Sequence, residues 1–228
     1  RNMWRDIKLN GYWQGEIRNK TKQGKAYLAW LQIVAITDDN NSITHYMAML
    51  RDVTERKEEE NRLFNLANFD PLTGLANRAF AELRFTESIE KALTRNISLT
   101  IYFIDLDRFK PINDSFGHKA GDILLTAVAD RLRHTIRDCD LVARIGGDEF
   151  VILLENLTYD QSYRKASEMS KSISHPYMIN DNEVYISSCI GISTFPNDGD
   201  DMETLISKAD AAMYNVKKNG KDGFSFFS

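Results

Sequence analysis

The sequence predicts an α+β fold: a central, mostly antiparallel sheet with flanking helices, preceded by a smaller β-rich segment. Residues 11–52 are rich in aromatic and β-branched residues and contain two turn segments, a pattern typical of short strands. Beyond Asp70, strand-like segments alternate with helical ones, yet tight turns join several of the strands. This combination indicates an α+β sheet with helices packed outside it.

The β-rich segment is expected to form a three-stranded antiparallel meander. Turns at TKQGK (21–25) and DDNNS (38–42) separate the three strands. Residues 53–69 are charged and carry a thin apolar stripe of Leu63, Leu66 and Ala67. This stripe predicts a connecting helix, and a short two-helix coiled coil remains an alternative for it.

The remaining chain predicts four helices and five strands. The helices are expected over residues 76–93, 115–137, 158–174 and 202–219. Strands are expected over 97–107, 141–145 and 149–155, followed by a hairpin that turns across Asn180 to Asn182. The segment 97–107 is mostly apolar, which predicts burial on both faces of the sheet.

Composition places the chain among ordinary globular proteins. Apolar residues make up 43% and charged residues 27%, and the net charge of −4 offers no basic excess for wrapping nucleic acid or binding anionic lipid. No apolar run reaches the ~18 residues of a membrane span.

Cys139 and Cys189 lack metal-ligand spacing and are expected to be free thiols in a reducing cytoplasm. The chain is interpreted as a cytoplasmic piece of a longer protein, whose membrane anchoring stays open.

The segment RIGGDEFVILLE (144–155) predicts a β-hairpin. Gly146 and Gly147 supply the positive φ of a tight turn, and apolar residues lie on both sides. Asp148 and Glu149 follow the glycines, either as acids that face water or as carboxylates held for metal binding or catalysis.

A second acidic cluster ends the apolar strand, at Asp105 and Asp107. Period-two alternation puts both on one face, and carboxylates at a strand end can bind a hard divalent cation. We expect Asp105 to pair with Asp148 at a metal, because both lie at ends of strands that can be neighbours. Asp107 is interpreted as a solvated turn acid.

Lysines extend the charge pattern. Lys110 lies in an expected loop broken by Pro111, and Lys217 and Lys221 close the last helix. Cations at a helix C-terminus also arise from the helix dipole alone. Together with a metal site they suit a triphosphate, although no GxxxxGK[ST] motif is present.

The segment NDSFGHKAGD (113–122) can contact guanine. A carboxylate accepts hydrogen bonds and an amide both donates and accepts them, so Asn113 and Asp122 match the donors on a guanine edge. His118 is either a polar contact near the nucleotide or a packed helix-cap residue, and from the residues alone the second is preferred.

Four motifs in order resemble one family, the GGDEF-domain diguanylate cyclases. They are FDPLTGLANR (69–78), IDLDRFKPINDSFGHKAGD (104–122), GGDEF (146–150) and ADAAMYNVKKNGKDG (209–223). The resemblance implies the palm-like fold of nucleotidyl cyclases and the conversion of two GTP to cyclic di-GMP and two pyrophosphates by a homodimer.

The resemblance also implies residue roles. Mg²⁺ or Mn²⁺ would be held by Asp105, the Leu106 carbonyl and Asp148. Asp148 or Glu149 would help to deprotonate the 3′-OH, and Lys110 would stabilise transition-state charge. The substrate contacts would be Asn113, His118 and Asp122 for the guanine, and Lys217 and Lys221 for the phosphates.

Two further features refine this implication. Arg137 and Asp140 resemble the family's RxxD site, which binds cyclic di-GMP and inhibits the enzyme; the alternative is a surface salt bridge. Asp122 favours GTP, because a related subgroup that makes adenine-containing products carries a smaller residue there. Lys221 replaces a frequent arginine, which keeps the charge and loses the fork geometry.

The front of the chain resembles the C-terminal half of a PAS domain, through GYWQGEIRNKTKQGKAY and HYMAMLRDVTERK. The resemblance divides the chain into a partial PAS domain (1–54), a signalling helix (55–69) and a GGDEF domain (70–228). An upstream sensory domain would then regulate the cyclase. The rival interpretations are a non-catalytic cyclic di-GMP receptor and a GTP-binding regulator of a phosphodiesterase domain beyond Ser228.

Overall fold

The computed structural model describes residues 3–137 and 140–228, so Cys139 lies outside the described residues. The chain forms two compact units that divide between Asn65 and Leu66. This division falls within the predicted connecting helix, and the finer three-part boundaries remain a prediction.

The first unit is the expected three-stranded sheet. Its strands are β1 (Tyr12–Lys20), β2 (Ala26–Thr37) and β3 (Ile43–Asp52), paired antiparallel in the order β1-β2-β3. The meander is therefore confirmed. A short helix, α1 (Met3–Asn10), precedes it and was not predicted. After the sheet, α2 (Thr54–Asn68) confirms the connecting helix.

The second unit is a five-stranded sheet with helices on both faces. Its helices are α3 (Arg78–Arg95), α4 (Phe109–Phe116), α5 (His118–Thr135), α6 (Tyr159–Ser174) and α7 (Met202–Lys218). The sheet strands are β4 (Leu99–Asp107), β5 (Leu141–Gly146), β6 (Glu149–Glu155), β9 (Ser187–Phe195) and β10 (Gly223–Phe226). A separate hairpin contains β7 (Tyr177–Ile179) and β8 (Asn182–Val184), as predicted.

The strand order in the large sheet is β10-β9-β4-β6-β5. Only the β10–β9 pair is parallel among these neighbours, so the predicted mostly antiparallel sheet is confirmed. β4 lies in the middle, and its side chains alternate between two cores. Tyr102 and Ile104 pack in the core that includes α5 and α6, whereas Ile101 and Phe103 pack in the core that includes α3 and α7.

Three local expectations were wrong. The segment after β4 is the helix α4 rather than a loop, and Pro111 lies in its first turn, where a proline costs no intrahelical hydrogen bond. Strand β10 was not predicted, because its four residues carry little pattern of their own. Lys221 lies beyond the end of α7, in the turn that leads to β10.

Within the described ranges, none of the helices combines the length and the apolar character needed to cross a membrane.

The sheet and α7 pack so closely at Gly191 that any side chain there would collide with backbone. A Cβ at this position would overlap the carbonyl oxygen of Ala209 and the amide nitrogen of Met213. We expect Gly191→Ala to lower the free energy of unfolding by about 3 kcal/mol, because backbone atoms cannot move aside cheaply. Chemical denaturation measures this change.

The matched control is Ser188→Ala on the same strand. The buried Ser188 hydroxyl finds no hydrogen-bond partner among the described residues, so its loss should change stability by less than about 1 kcal/mol. Equal stability of the wild type and Gly191→Ala would contradict this account of the packing.

Candidate functional site

The candidate site lies where β4 ends between its two neighbours. In the antiparallel register, Asp105 is opposite Glu149 on β6 and opposite Cys189 on β9. The backbone N–H of Leu106 donates to the carbonyl of Asp148 at 3.3 Å. Asp105, at the end of β4, and Asp148, in the turn directly before β6, are thus brought together, as the sequence predicted.

The hairpin apex is formed by β5, β6 and the residues between them. Gly147 has a φ of +45°, which a glycine adopts without strain, and the register shifts between Arg144 and Gly146. Asp148 and Glu149 are half-buried at this apex. The interpretation of both acids as residues that simply face water is therefore wrong.

Arg144 connects the hairpin apex to Asp70 by hydrogen bonds. Its guanidinium donates twice to the Gly147 carbonyl, at 2.9 and 2.7 Å, and twice to the Asp70 carboxylate, at 3.1 Å each. Asp70 also accepts from the backbone N–H and the hydroxyl of Thr73. Burial alone would raise the pKa of Asp70, but the hydrogen bonds from Thr73 and Arg144 outweigh it and lower that pKa.

The acids at the site repel one another. Burial raises the pKa of Asp148, and the nearby charge of Asp105 raises it further. Glu149 behaves in the same way, because burial and the charges of Asp105 and Asp148 raise its pKa. Like charges held together in this way favour a bound cation.

One lysine offsets part of this charge. Lys217 on α7 forms an ion pair with Asp105, with Nζ 2.8 Å from the carboxylate oxygen. Burial opposes the charged form of Lys217, but the hydrogen bond and the charge of Asp105 dominate and raise its pKa. The cationic partner of Asp105 in this structure is therefore Lys217, a pairing that the sequence did not predict.

The donor set at the apex fits a magnesium-type ion. It offers the carboxylates of Asp105 and Asp148 beside the backbone of Leu106. Such ions commonly use one or two protein carboxylates and complete their shell with water and substrate phosphates. Within residues 3–137 and 140–228, no group of three or more histidine, cysteine or acidic side chains is arranged to hold a metal by itself.

Asp107 differs from the prediction. It is only 3% exposed, so its interpretation as a solvated turn acid is wrong. Its carboxylate accepts hydrogen bonds from the Ser187 hydroxyl at 2.9 Å and from the Cys189 thiol at 3.2 Å. Cys189 is a free, buried thiol, and burial together with Asp107 raises its pKa to about 12.

Helices α4 and α5 hold the predicted guanine contacts. The Oδ1 atom of Asn113 is buried and lacks a hydrogen-bond partner in the part of the chain that the structure describes. Gly121 makes room for it, because a Cβ at Gly121 would overlap the Asn113 amide. Asp122 follows Gly121 directly and is exposed.

The other predicted contacts lie on the surface. His118 opens α5 and is exposed, with Gly117 as the N-cap, so it is not a packed capping residue. Lys110 is exposed on α4. Lys221 lies with its Nζ 4.0 Å from the Asp107 carboxylate.

Two hydrogen bonds connect Arg137 and Asp140. The Asp140 carboxylate accepts from the backbone N–H of Arg137 at 3.0 Å, and the Asp140 N–H donates to the Arg137 carbonyl at 3.0 Å. Arg137 is exposed. The role of this pair in binding a product stays a prediction.

The sequence analysis missed several residues that build the site, namely Asp70, Gly121, Arg144, Ser187 and Cys189. Gly121 gave a usable signal, since a glycine inside a helical pattern is costly and often has a packing reason. The others gave none, because the contacts that bring them to the site, such as Arg144 with Asp70 and Cys189 with Asp107, join residues far apart in sequence.

Comparison with known proteins identifies the family. The model of the family described as "Diguanylate cyclase, GGDEF domain" matches residues 67–223. The chain therefore belongs to the GGDEF domain family.

Among individual relatives, the bifunctional diguanylate cyclase/cyclic di-GMP phosphodiesterase MucR of Pseudomonas aeruginosa is 41% identical over 76% of this chain and 25% of its own length. The diguanylate cyclase TpbB of P. aeruginosa is 41% identical over 73% of this chain and 39% of its own length. The chain thus spans a quarter to two fifths of these two relatives.

A solved structure of the TpbB GGDEF domain from P. aeruginosa superposes with a TM-score of 0.68. It is 40% identical and covers 70% of this chain and 94% of the solved chain. This likeness supports the palm-like fold that the motifs implied.

Charge repulsion at the apex predicts that the metal-free protein gains stability when one acid is neutralised. We expect Asp148→Asn to raise the free energy of unfolding by about 1 kcal/mol at pH 7, because the raised pKa of Asp148 means that ionisation disfavours the folded state. The gain should shrink as the pH falls through the folded and unfolded pKa values and vanish below about pH 3, where the carboxyl is protonated in both states. Denaturation in a chelator measures it.

The control is Asp200→Asn, an exposed acid with the same change of charge. It should leave stability nearly unchanged at both pH values. A destabilised Asp148→Asn protein at pH 7 would contradict the proposed repulsion.

Proposed function

We propose that this chain is a diguanylate cyclase, which condenses two GTP molecules into cyclic di-GMP and two pyrophosphates. The observation that carries the proposal is the convergence of Asp105, at the end of β4, with Asp148 and Glu149 at the neighbouring hairpin apex, where Lys217 pairs with Asp105. Membership of the GGDEF domain family supports it.

Asp105, Asp148 and the Leu106 carbonyl would hold Mg²⁺ or Mn²⁺. The bound ion would neutralise phosphate charge and orient the triphosphate. Lys217 on α7 compensates part of the negative charge of these carboxylates through its ion pair with Asp105. The negative charge that remains favours a divalent cation. Arg144 keeps Asp148 in place through the Gly147 carbonyl.

The 3′-hydroxyl oxygen of one GTP attacks the α-phosphorus of the other, and pyrophosphate leaves. Asp148 or Glu149 accepts the hydroxyl proton. Both carboxyls lie at the hairpin apex beside Asp105, and a general base must lie within reach of the hydroxyl proton that it accepts. Lys110 stabilises the charge that develops on the phosphate.

Asn113, His118 and Asp122 would bind the guanine. The unpartnered Oδ1 atom of Asn113 supports this assignment, because a buried acceptor without a donor costs free energy that a ligand N–H would recover. Asp122 adds a charged acceptor. Lys217 and Lys221 would bind the phosphates.

Each domain would hold one GTP, so catalysis requires two copies of the chain to face each other as a homodimer. Arg137 and Asp140 would bind cyclic di-GMP and inhibit turnover. The first unit, with its partial PAS resemblance, would pass a signal through α2 to set how the two GTP sites meet.

The second candidate function is a non-catalytic receptor for cyclic di-GMP or a GTP-binding regulator. NbdA of P. aeruginosa, a relative named as a cyclic di-GMP phosphodiesterase, is 37% identical over 73% of this chain. Because a relative with this domain is named for a different activity, the non-catalytic function is tested as well. The intact Asp148 and Glu149 favour the enzyme.

Turnover of GTP with Mg²⁺ tests the proposal. We expect the wild type to form cyclic di-GMP, and Asp148→Ala to lose at least about 100-fold in kcat, because it removes a metal ligand and a proton acceptor. Chromatography of the products measures both. Asp200→Asn should retain wild-type turnover. A folded wild-type dimer that forms no cyclic product would leave the receptor function instead.

Inhibition by the product tests the proposed role of Arg137. We expect Arg137→Ala to retain kcat and to need about 10-fold more cyclic di-GMP for half inhibition, because a guanidinium contact with phosphate or guanine is lost. Initial rates at several product concentrations measure this. Lys171→Ala, an exposed cation on α6, is the control. Unchanged inhibition of Arg137→Ala would show that the product binds elsewhere.

A further inference from the structure

Asp107 is a buried carboxylate that neither the metal site nor the guanine contacts use. It is the last residue of β4, two residues after Asp105 on the same face. Its oxygens accept from the Ser187 hydroxyl, from the Cys189 thiol and from the backbone N–H of Asp222 at 3.2 Å. Burying a charge is costly unless hydrogen bonds and a counter-charge compensate it, so this arrangement calls for a structural or functional reason.

The Asp222 contact ties β4 to an unusual turn. Gly220, Lys221 and Asp222 all have positive φ values, of +112°, +65° and +49°. Two successive non-glycine residues in the left-handed region cost free energy, and the surrounding structure must hold them there. The hydrogen bond from the Asp222 N–H to Asp107 is one of the contacts that hold this turn.

The same turn carries Lys221. Its Nζ lies 4.0 Å from Asp107, while Lys217, on the preceding helix, pairs with Asp105 at 2.8 Å. Two acids on one face of β4 thus hold two lysines four residues apart. Lys221 is exposed and flexible by nature, so its location depends on the turn and on the charge of Asp107.

We propose that Asp107 is a positioning residue for the triphosphate subsite: it fixes the turn 220–222 and keeps the Lys221 ammonium beside the Asp105–Lys217 pair. This inference rests on the proposed function, in which these lysines bind the phosphates. Ser187 and Cys189 support Asp107 by donating to it from β9. The guanine contacts on α4 and α5 lie outside this network.

The test compares ligands that share guanine and differ in phosphate number. Binding of a non-reactive GTP analogue with an α,β-methylene bridge and of GMP is measured by calorimetry with Mg²⁺. Asp107→Asn keeps the shape and loses the charge. We expect its Kd for the triphosphate to rise about 10-fold and its Kd for GMP to change less than 2-fold, so that the preference for triphosphate falls.

A second pair of variants covers the case in which Asp107→Asn does not fold. Cys189→Ala removes one donor to Asp107, and Cys189→Ser keeps a donor there. We expect Cys189→Ala to lower the triphosphate preference about 3-fold and Cys189→Ser to restore most of it. Ser188→Ala, on the same strand, removes a hydroxyl that has no hydrogen bond to Asp107 and should leave the preference unchanged.

Two results would overturn the inference. The first is a folded Asp107→Asn protein whose ratio of Kd for GMP to Kd for the triphosphate equals that of the wild type. The second is the same ratio in Cys189→Ala, Cys189→Ser and the wild type. The proposed enzyme is judged separately, because binding is measured without turnover. A wild type that binds the triphosphate through this network and forms no cyclic product would retain the positioning role and lose the cyclase.

Discussion

The mutual repulsion of three carboxylates at the end of the central strand is the constraint on which the site depends. Asp105 lies opposite Glu149 in the β4–β6 pair. Asp148 directly precedes Glu149, at the hairpin apex. Burial and like charge raise the pKa values of Asp148 and Glu149. A folded protein keeps such an arrangement only if packing elsewhere holds it, and here two apolar cores enclose β4 from both faces.

The apex is held by contacts that take no part in the proposed chemistry. Arg144 joins the Gly147 carbonyl to Asp70, a residue that follows α2 closely in the chain. Both side chains of this ion pair are largely buried, so the contact is stronger than an exposed pair. The position of the apex therefore depends on the segment that leads out of α2.

Two neighbouring acids on one strand face have separate environments. Asp105 is half-buried beside one lysine and remains available to a cation. Asp107 is buried and fully engaged with donors from β9 and from the turn before β10. Under the proposed function, chemistry and positioning would be divided between residues of the same type, because the surrounding strands leave Asp105 accessible and bury Asp107.

The sequence alone determined the features that depend on local pattern. Glycine turns and apolar runs predicted the β5–β6 hairpin, the burial of β4 and most helices, and the GGDEF motifs predicted the acids at the apex. Only the tertiary structure decided the burial of Asp107, the pairing of Lys217 with Asp105 and the unpartnered Asn113 amide. These depend on contacts between residues far apart in the chain, such as Asp107 with Cys189 and Asp222, and no local pattern encodes a distance between them.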